Sequence, residues 1–305
     1  MVVYSISDVE KLTGIRAHTL RAWEQRYELV CPRRDDNNVR YYLEPDVREL
    51  CNIALLNRNG YRISKIAGLT QAERCREVAR VSSLNISSDT ELDALTLCAI
   101  ELDPDRFGFI IDTNVAQRGF EETMLEVVYP MLDKLNLLFF TGSVRAVQES
   151  VIGGLLRQKL LAAIDQLPYG SRPGLPRFAL FLPEGERQEL STLFVYYLLR
   201  KRGFPALYLG ADTSLSDLSD LADVTRVDYL FTLLSSNYVA RPVDELIEGI
   251  LSHCPQSRLL LTGYQANLHD PLPGGRVRRV TGLSEMIAFL DSFSNSADRS
   301  TAAAK

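Results

Sequence analysis

The chain has 305 residues, 46% of them hydrophobic and 24% charged, with a formal net charge of −5. That length suits two or three domains with sizeable cores, and no apolar run approaches the roughly 18 residues of a membrane span. Five scattered cysteines (Cys31, Cys51, Cys75, Cys98, Cys254) form no C-x-x-C pair, and no charged segment precedes an apolar one near residue 1; this argues against a disulfide framework and a thiolate metal site, and the expectation is a chain without a secretory signal in a reduced, cytoplasmic setting.

Residues 4–42 predict a short helix, a tight turn, a second helix and a basic, turn-rich excursion. Ser7 has the chemistry of an N-cap, with Glu10 three residues on to complete a capping box. Val9 and Leu12 face inward, and Gly14 stands where the chain must turn sharply. The second helix opens at Ala17-His18-Thr19 and buries Leu20 and Trp23. Its other side carries His18, Thr19, Arg21 and Arg26, beside the small Ala22, which is the layout of a helix-turn-helix with its second helix offered to a major groove. A helix then begins at Glu44-Pro45-Asp46 and ends at Gly60, and a short one starts at Ile63.

Residues 80–91 are Ser-rich and polar and predict a flexible linker. Four amphipathic segments follow: Leu92 to Leu102, Phe107 to Val115, Met124 to Leu135 with Pro130 as a kink, and about Val144 to Leu167. Together they predict a small helical bundle. After a Gly/Pro-rich connector over 169–175 the pattern changes to alternation. Strands at Phe178–Leu182, Ala206–Leu209, Tyr229–Leu233, Leu259–Leu261 and Val277–Val280 alternate with helices at Glu186–Arg202, Ser214–Val224, Pro242–His253 and Leu283–Phe293. Such alternation implies right-handed crossovers and a parallel sheet covered on both faces. Ligands of such folds sit beyond the C-terminal strand ends, here at 183–185, 210–212, 235–237 and 262–264. The Ser/Ala-rich tail, 294–305, predicts no order.

Charge is unevenly spread. Residues 1–75 hold 12 Lys/Arg against 10 Asp/Glu, and the remainder holds 22 against 29. A slightly basic head on an acidic body favours one docking orientation on DNA.

Several spaced elements carry a resemblance: Tyr4-Ser5-Ile6-Ser7, Thr13-Gly14-Ile15, the run from His18 to Tyr27, Pro32-Arg33-Arg34 and Arg40-Tyr41-Tyr42. Together they resemble the winged-helix DNA-binding domain of MerR-family transcription regulators, with one departure at Glu28, where many relatives carry Gly. The resemblance implies that His18, Thr19, Arg21 and Arg26 face DNA, that Arg40 and Tyr41 on the wing grip the backbone, and that the chain binds double-stranded operator DNA as a homodimer or higher homo-oligomer. RNA polymerase at the promoter and a regulatory protein are further candidate partners.

The bundle followed by the α/β pattern resembles a cobalamin-binding module. On a MerR-type head it is similar to the light-sensing, cobalamin-dependent repressors. In those relatives a Gly-Glu-x-His-Glu-x-Gly loop supplies the histidine beneath cobalt, and Trp-x-x-Gly and Glu-His elements of the bundle cover the upper face. Here Gln188 stands in place of that histidine, Ser191 in place of a Gly, Phe139 in place of the Trp, and Glu149-Ser150 in place of Glu-His. Gly142, Leu209-Gly210-Ala211-Asp212 and Ser235-Ser236 are kept. An amide side chain offers cobalt no nitrogen as basic as imidazole. The expectation is therefore a domain of cobalamin-binding type without the cofactor, used for sensing, oligomerisation or protein contact. An acidic rim of Glu184, Glu186, Glu189 and Asp212 would suit a basic partner.

The fold class expected is multidomain α and α/β: a winged helix-turn-helix head over 1–75, a four-helix bundle over 89–168, and a doubly wound, Rossmann-like parallel-sheet domain over 176–293. A cobalamin-dependent, light-responsive repressor is the alternative. An enzyme is the third reading, with Asp212 and Glu186 as an acid–base pair, although helix capping suits both better. Against an enzyme, His253 and His269 have no paired nucleophile or metal spacing, so no catalytic residue, metal or membrane partner is expected.

Overall fold

A strand ending at Ser5 fixes where the first helix begins, and the rest of the head is built outward from that corner. The computed structural model describes residues 3–27, 29–30, 32–34, 40–74, 76–78, 90–140, 145–235, 238, 240–268 and 275–302. Glu28, Cys31, Cys75, Gly142, Ser236, His269 and most of the Ser-rich stretch over 80–91 lie outside them. The chain divides into two compact units, residues 1–155 and 156–305.

In the first unit, β1 (Val3–Ser5), β2 (Arg33–Arg34) and β3 (Arg40–Leu43) form an antiparallel sheet in the order β1-β3-β2. Helix α1 (Ile6–Thr13) is capped by Ser5, whose hydroxyl accepts the Asp8 amide while Asp8 accepts the Ser5 amide at 2.8 Å. The capping box expected at Ser7 and Glu10 is thus two residues early, because Ser5 pairs with Tyr41 and ends the strand there. Glu10 instead accepts the amide of Ala17 at 3.2 Å, the first residue of α2 (Ala17–Tyr27). Between the helices Gly14 takes φ 71°, as the sharp turn requires.

Helices α3 (Glu44–Arg58) and α4 (Ile63–Ala67) close the head over a core of Val9, Leu20, Tyr42, Val47, Ile53, Leu56 and Ile66. Buried Arg74 reinforces it, donating to Glu49 and to the carbonyls of Ile66 and Leu69.

Five helices and a π-helical turn follow: α5 (Thr90–Glu101), α6 (Pro104–Arg118), α7 (Phe120–Thr123), the π turn over Met124–Val128, α8 (Tyr129–Phe140) and α9 (Ala146–Asp165), whose residues are shared between the two units. The π turn stands just ahead of Pro130, where a kink was expected. Proline has no N–H to give the carbonyl four residues back, and the Tyr129 amide bonds Met124 five residues back.

The second unit holds a five-stranded, all-parallel sheet. Its strands are β4 (Phe178–Pro183), β5 (Ala206–Thr213), β6 (Tyr229–Leu233), β7 (Arg258–Thr262) and β8 (Val277–Arg279), in the order β5-β4-β6-β7-β8. The connecting helices are α10 (Glu189–Lys201), α11 (Leu215–Val224), α12 (Val243–His253), α13 (Tyr264–Leu268) and α14 (Leu283–Ala302). Every residue of β4 is buried, as a central strand covered on both faces demands. Ala179 and Phe181 pack with Leu218, Leu246, Ile247 and Ile250 from α11 and α12. Aromatic rings gather where β4 and β6 begin: Phe178 stacks on Tyr229 at 5.0 Å, and Phe204, Phe289 and Phe293 meet them edge-on at 5.4–5.9 Å.

The alternation read from the sequence is therefore present. Three details differ. Helix α10 starts at Glu189, because Glu186 is folded inward ahead of it. The five-residue α13 lies where no element was expected, and α14 continues through Ala302 across a stretch expected to lack order.

Candidate DNA-binding face and α/β cleft

On α2 the spacing of i, i+3, i+4 and i+7 gathers His18, Arg21, Ala22 and Gln25 on one exposed side, with exposed Arg26 beside them. Thr19 and Trp23 are half-buried and Leu20 is buried. The Arg26 guanidinium lies 5.5 Å from the centroid of the Tyr27 ring. Of the four residues expected on this side of the second helix, His18, Arg21 and Arg26 are exposed and Thr19 is half-buried. On the wing, Arg33 and Arg34 of β2 are exposed opposite Tyr41 and Arg40 of β3, and Tyr41 is half-buried.

Arg40 is engaged within the head. Its Nε stands 3.5 Å from the Glu24 carboxylate of α2, and the fully buried Tyr42 donates its hydroxyl to that same carboxylate. Burial, and then the Glu24 charge, raise the Tyr42 phenol well above the ordinary tyrosine range. The sequence reading missed this triad, because Glu24 and Tyr42 are 18 residues apart. The available signal was that positions 40 and 42 share one face of a strand.

In the second unit the loops after β4, β5 and β6 converge. Glu186 is 1% exposed. One carboxylate oxygen accepts the amides of Arg187 and Gln188 at 2.8 and 2.9 Å, and the other accepts the amide of Ser235 at 2.7 Å. Asp212, at φ 54°, accepts the amide of Gly185 at 3.3 Å. It caps no helix; Ser214 caps α11 instead. Both acids of the enzyme reading are thus bonded to backbone amides.

Glu189, on the first turn of α10, accepts the Tyr208 hydroxyl at 2.7 Å and the Arg157 Nε at 2.5 Å. Burial pushes the Glu189 carboxyl up, but the hydrogen bonds from Arg157 and Tyr208 outweigh it and leave it below its ordinary value. Tyr208 is raised in turn, by burial and by Glu189. Glu184 lies 3.4 Å from Arg241. The acidic rim expected from the sequence is therefore not a free anionic surface, since Glu186 is turned inward and Glu184 and Glu189 face arginines.

Gln188 is exposed and brings only an amide to the position where the resemblance called for a cobalt ligand. No group of three or more His, Cys, Asp or Glu able to hold a metal occurs among the described residues. Phe139 is half-buried, and Glu149 and Ser150 are exposed on the first turns of α9. On the chemistry of its donors, the α/β loop does not fit a cobalt centre held through a protein nitrogen.

Comparison with known proteins agrees with the geometry of the head. Residues 4–73 match the family described as MerR HTH family regulatory protein. The chain is 26% identical over 266 residues to the HTH-type transcriptional repressor CarA of Myxococcus xanthus, covering 87% of this chain and 88% of that one. It is 28% identical over 234 residues to the HTH-type transcriptional repressor CarH of the same organism, covering 74% and 77%. Among solved structures, the Methanosarcina barkeri monomethylamine corrinoid protein aligns with a TM-score of 0.42 at 12% identity, over 64% of this chain and 94% of that one. The chain thus carries a MerR-type helix-turn-helix domain at residues 4–73 and is homologous over most of its length to the CarA and CarH repressors.

Proposed function

We propose that this protein is a sequence-specific DNA-binding transcription regulator whose α/β domain works without cobalamin, as a sensing, oligomerisation or protein-contact module, and that it is not an enzyme. The observation that carries the DNA-binding half is the exposed side of α2, where His18, Arg21, Gln25 and Arg26 stand on a buried Leu20 anchor. Base edges in a major groove are read by such a helix, and phosphates by basic residues flanking it. Operator DNA, a homo-oligomer bridging two half-sites and a cytoplasmic setting belong to the same reading. So does the three-part division into head, bundle and α/β domain at 1–75, 89–168 and 176–293.

The cofactor-free half rests on Gln188 and on Phe139, Glu149 and Ser150. The alternative is a cobalamin-dependent, light-responsive repressor. Titrating adenosyl- and methylcobalamin into the purified protein, in darkness and in light, separates the two. The expected result is no visible absorption retained after desalting, for the native chain and for Gln188→His, because the upper-face positions still differ. A stoichiometric coloured complex would refute the cofactor-free reading. The DNA-binding half is tested by selection from a random duplex pool; recovery of an inverted repeat is expected, and failure to enrich any sequence would overturn it.

A further inference from the structure

Alternation along β3 puts Arg40 and Tyr42 on one side of the wing strand and Tyr41 on the other. The first side meets Glu24, in the middle of α2. Its carboxylate accepts the Tyr42 hydroxyl and faces the Arg40 guanidinium, so one side chain of α2 holds two positions of the wing. The Glu24 side chain is only 11% exposed, whereas that of Arg40 is 32% exposed. A carboxylate so enclosed is retained where its partners satisfy it, and losing one partner leaves the others misplaced.

From this we infer that Glu24 is a positioning residue for DNA recognition, fixing the wing relative to α2, and that Arg40 acts through Glu24 rather than as a phosphate contact. The inference rests on the DNA-binding reading above. It reverses the expectation of simple electrostatics. Removing a carboxylate from a DNA-facing head should tighten binding by easing repulsion; removing a brace should weaken it, because helix and wing no longer arrive together.

The test uses the full-length protein and the duplex enriched from the random pool. Glu24→Gln keeps an acceptor for Tyr42 and deletes only the charge, and Arg40→Ala deletes the other half of the ion pair. Each should weaken binding to the enriched duplex roughly tenfold and leave binding to unselected duplex little changed. The double variant should lose no more than either single one, as residues acting as a unit do. The slope of affinity against salt should match the native slope in Arg40→Ala, since no phosphate contact is lost. Tighter binding by Glu24→Gln, additive losses, or a slope reduced by about one in Arg40→Ala would each overturn the inference. Tyr42→Phe deletes one hydroxyl and guards against misfolding; it should weaken the enriched duplex selectively, and unchanged affinity would count against the brace. If the native chain enriches no sequence, the DNA-binding reading itself fails and takes this inference with it.

Discussion

The Glu186 carboxylate and the Ser235 amide are 49 residues apart in sequence and meet at 2.7 Å. Ser235 follows β6, Glu186 follows β4, and these strands are neighbours in the sheet. From β4 the chain crosses to β5 on one side, and from β6 to β7 on the other. This is the place where the connections of a doubly wound sheet diverge and its crevice opens. Here a carboxylate of the chain's own ties the two sides together.

Replacing Glu186 should therefore destabilise the second unit. Glu186→Ala strands three backbone amides, one buried and two part-buried, at a cost of roughly 3 kcal/mol. Glu186→Gln should cost nearly as much, because one of its ends becomes a donor pointed at another donor. Thermal unfolding should show a fall of about 6–12 °C in both variants; a shift confined to Ala would mean that the carboxylate is replaceable by an amide.

The Arg157–Glu189–Tyr208 cluster predicts a pH dependence of stability. The folded Glu189 carboxyl sits below its ordinary value, so its contribution is complete above the unfolded value of about 4.3 and is lost as pH falls through the folded one. Tyr208 is raised, so its contribution is complete below about 10 and is lost as pH climbs through its folded value. In urea unfolding across pH, native protein and Glu189→Gln should differ most near neutrality and converge in acid. A constant gap from neutrality down to about pH 3 would show that the charge contributes nothing.

Gly263, just after β7, has φ 101°, and a Cβ there would stand 2.3 Å from the Leu234 carbonyl oxygen. That oxygen already accepts the Gln265 amide, so the neighbouring backbone has little room to move. Gly263→Ala should cost roughly 2–4 kcal/mol from clash and strained φ together. Gly14→Ala meets no atom within 4 Å and should cost less, through φ alone. Equal losses in denaturant titrations of the two variants would contradict this ranking.

Arg21→Ala should weaken binding to the enriched duplex and relax its sequence preference at one base pair, by roughly 1–3 kcal/mol. The readout is competition by singly substituted duplexes. A uniform loss across all sequences would move Arg21 from a base edge to a phosphate.

What could be read from the sequence was what lies close in it. The apolar runs at 178–182, 229–233 and 259–261 gave the strands, because a buried parallel strand needs no alternation. The turn at Gly14 and the exposed side of α2 followed from spacing. The first cap was read at Ser7 with Glu10, whereas the strand pairing of Ser5 with Tyr41 puts it at Ser5 with Asp8. Glu186 looked like an ordinary helix-start acid, and only the fold brings Ser235 to it. The Glu24 triad was hidden for the same reason, since a residue of α2 meets two of β3 only once the head has folded.

The aromatic floor under β4 and β6 sets an order of events during synthesis. Phe178 lies in the first strand of the second unit, but Phe289 and Phe293, which help close its lower edge, lie in α14. The sheet must wait, with Tyr229 and Phe204 incompletely covered, until residues beyond Phe293 have left the ribosome. Among the described residues, the core of the head runs no further than Val78. A nascent chain would therefore hold a finished DNA-binding head while its α/β unit was still open to chaperones.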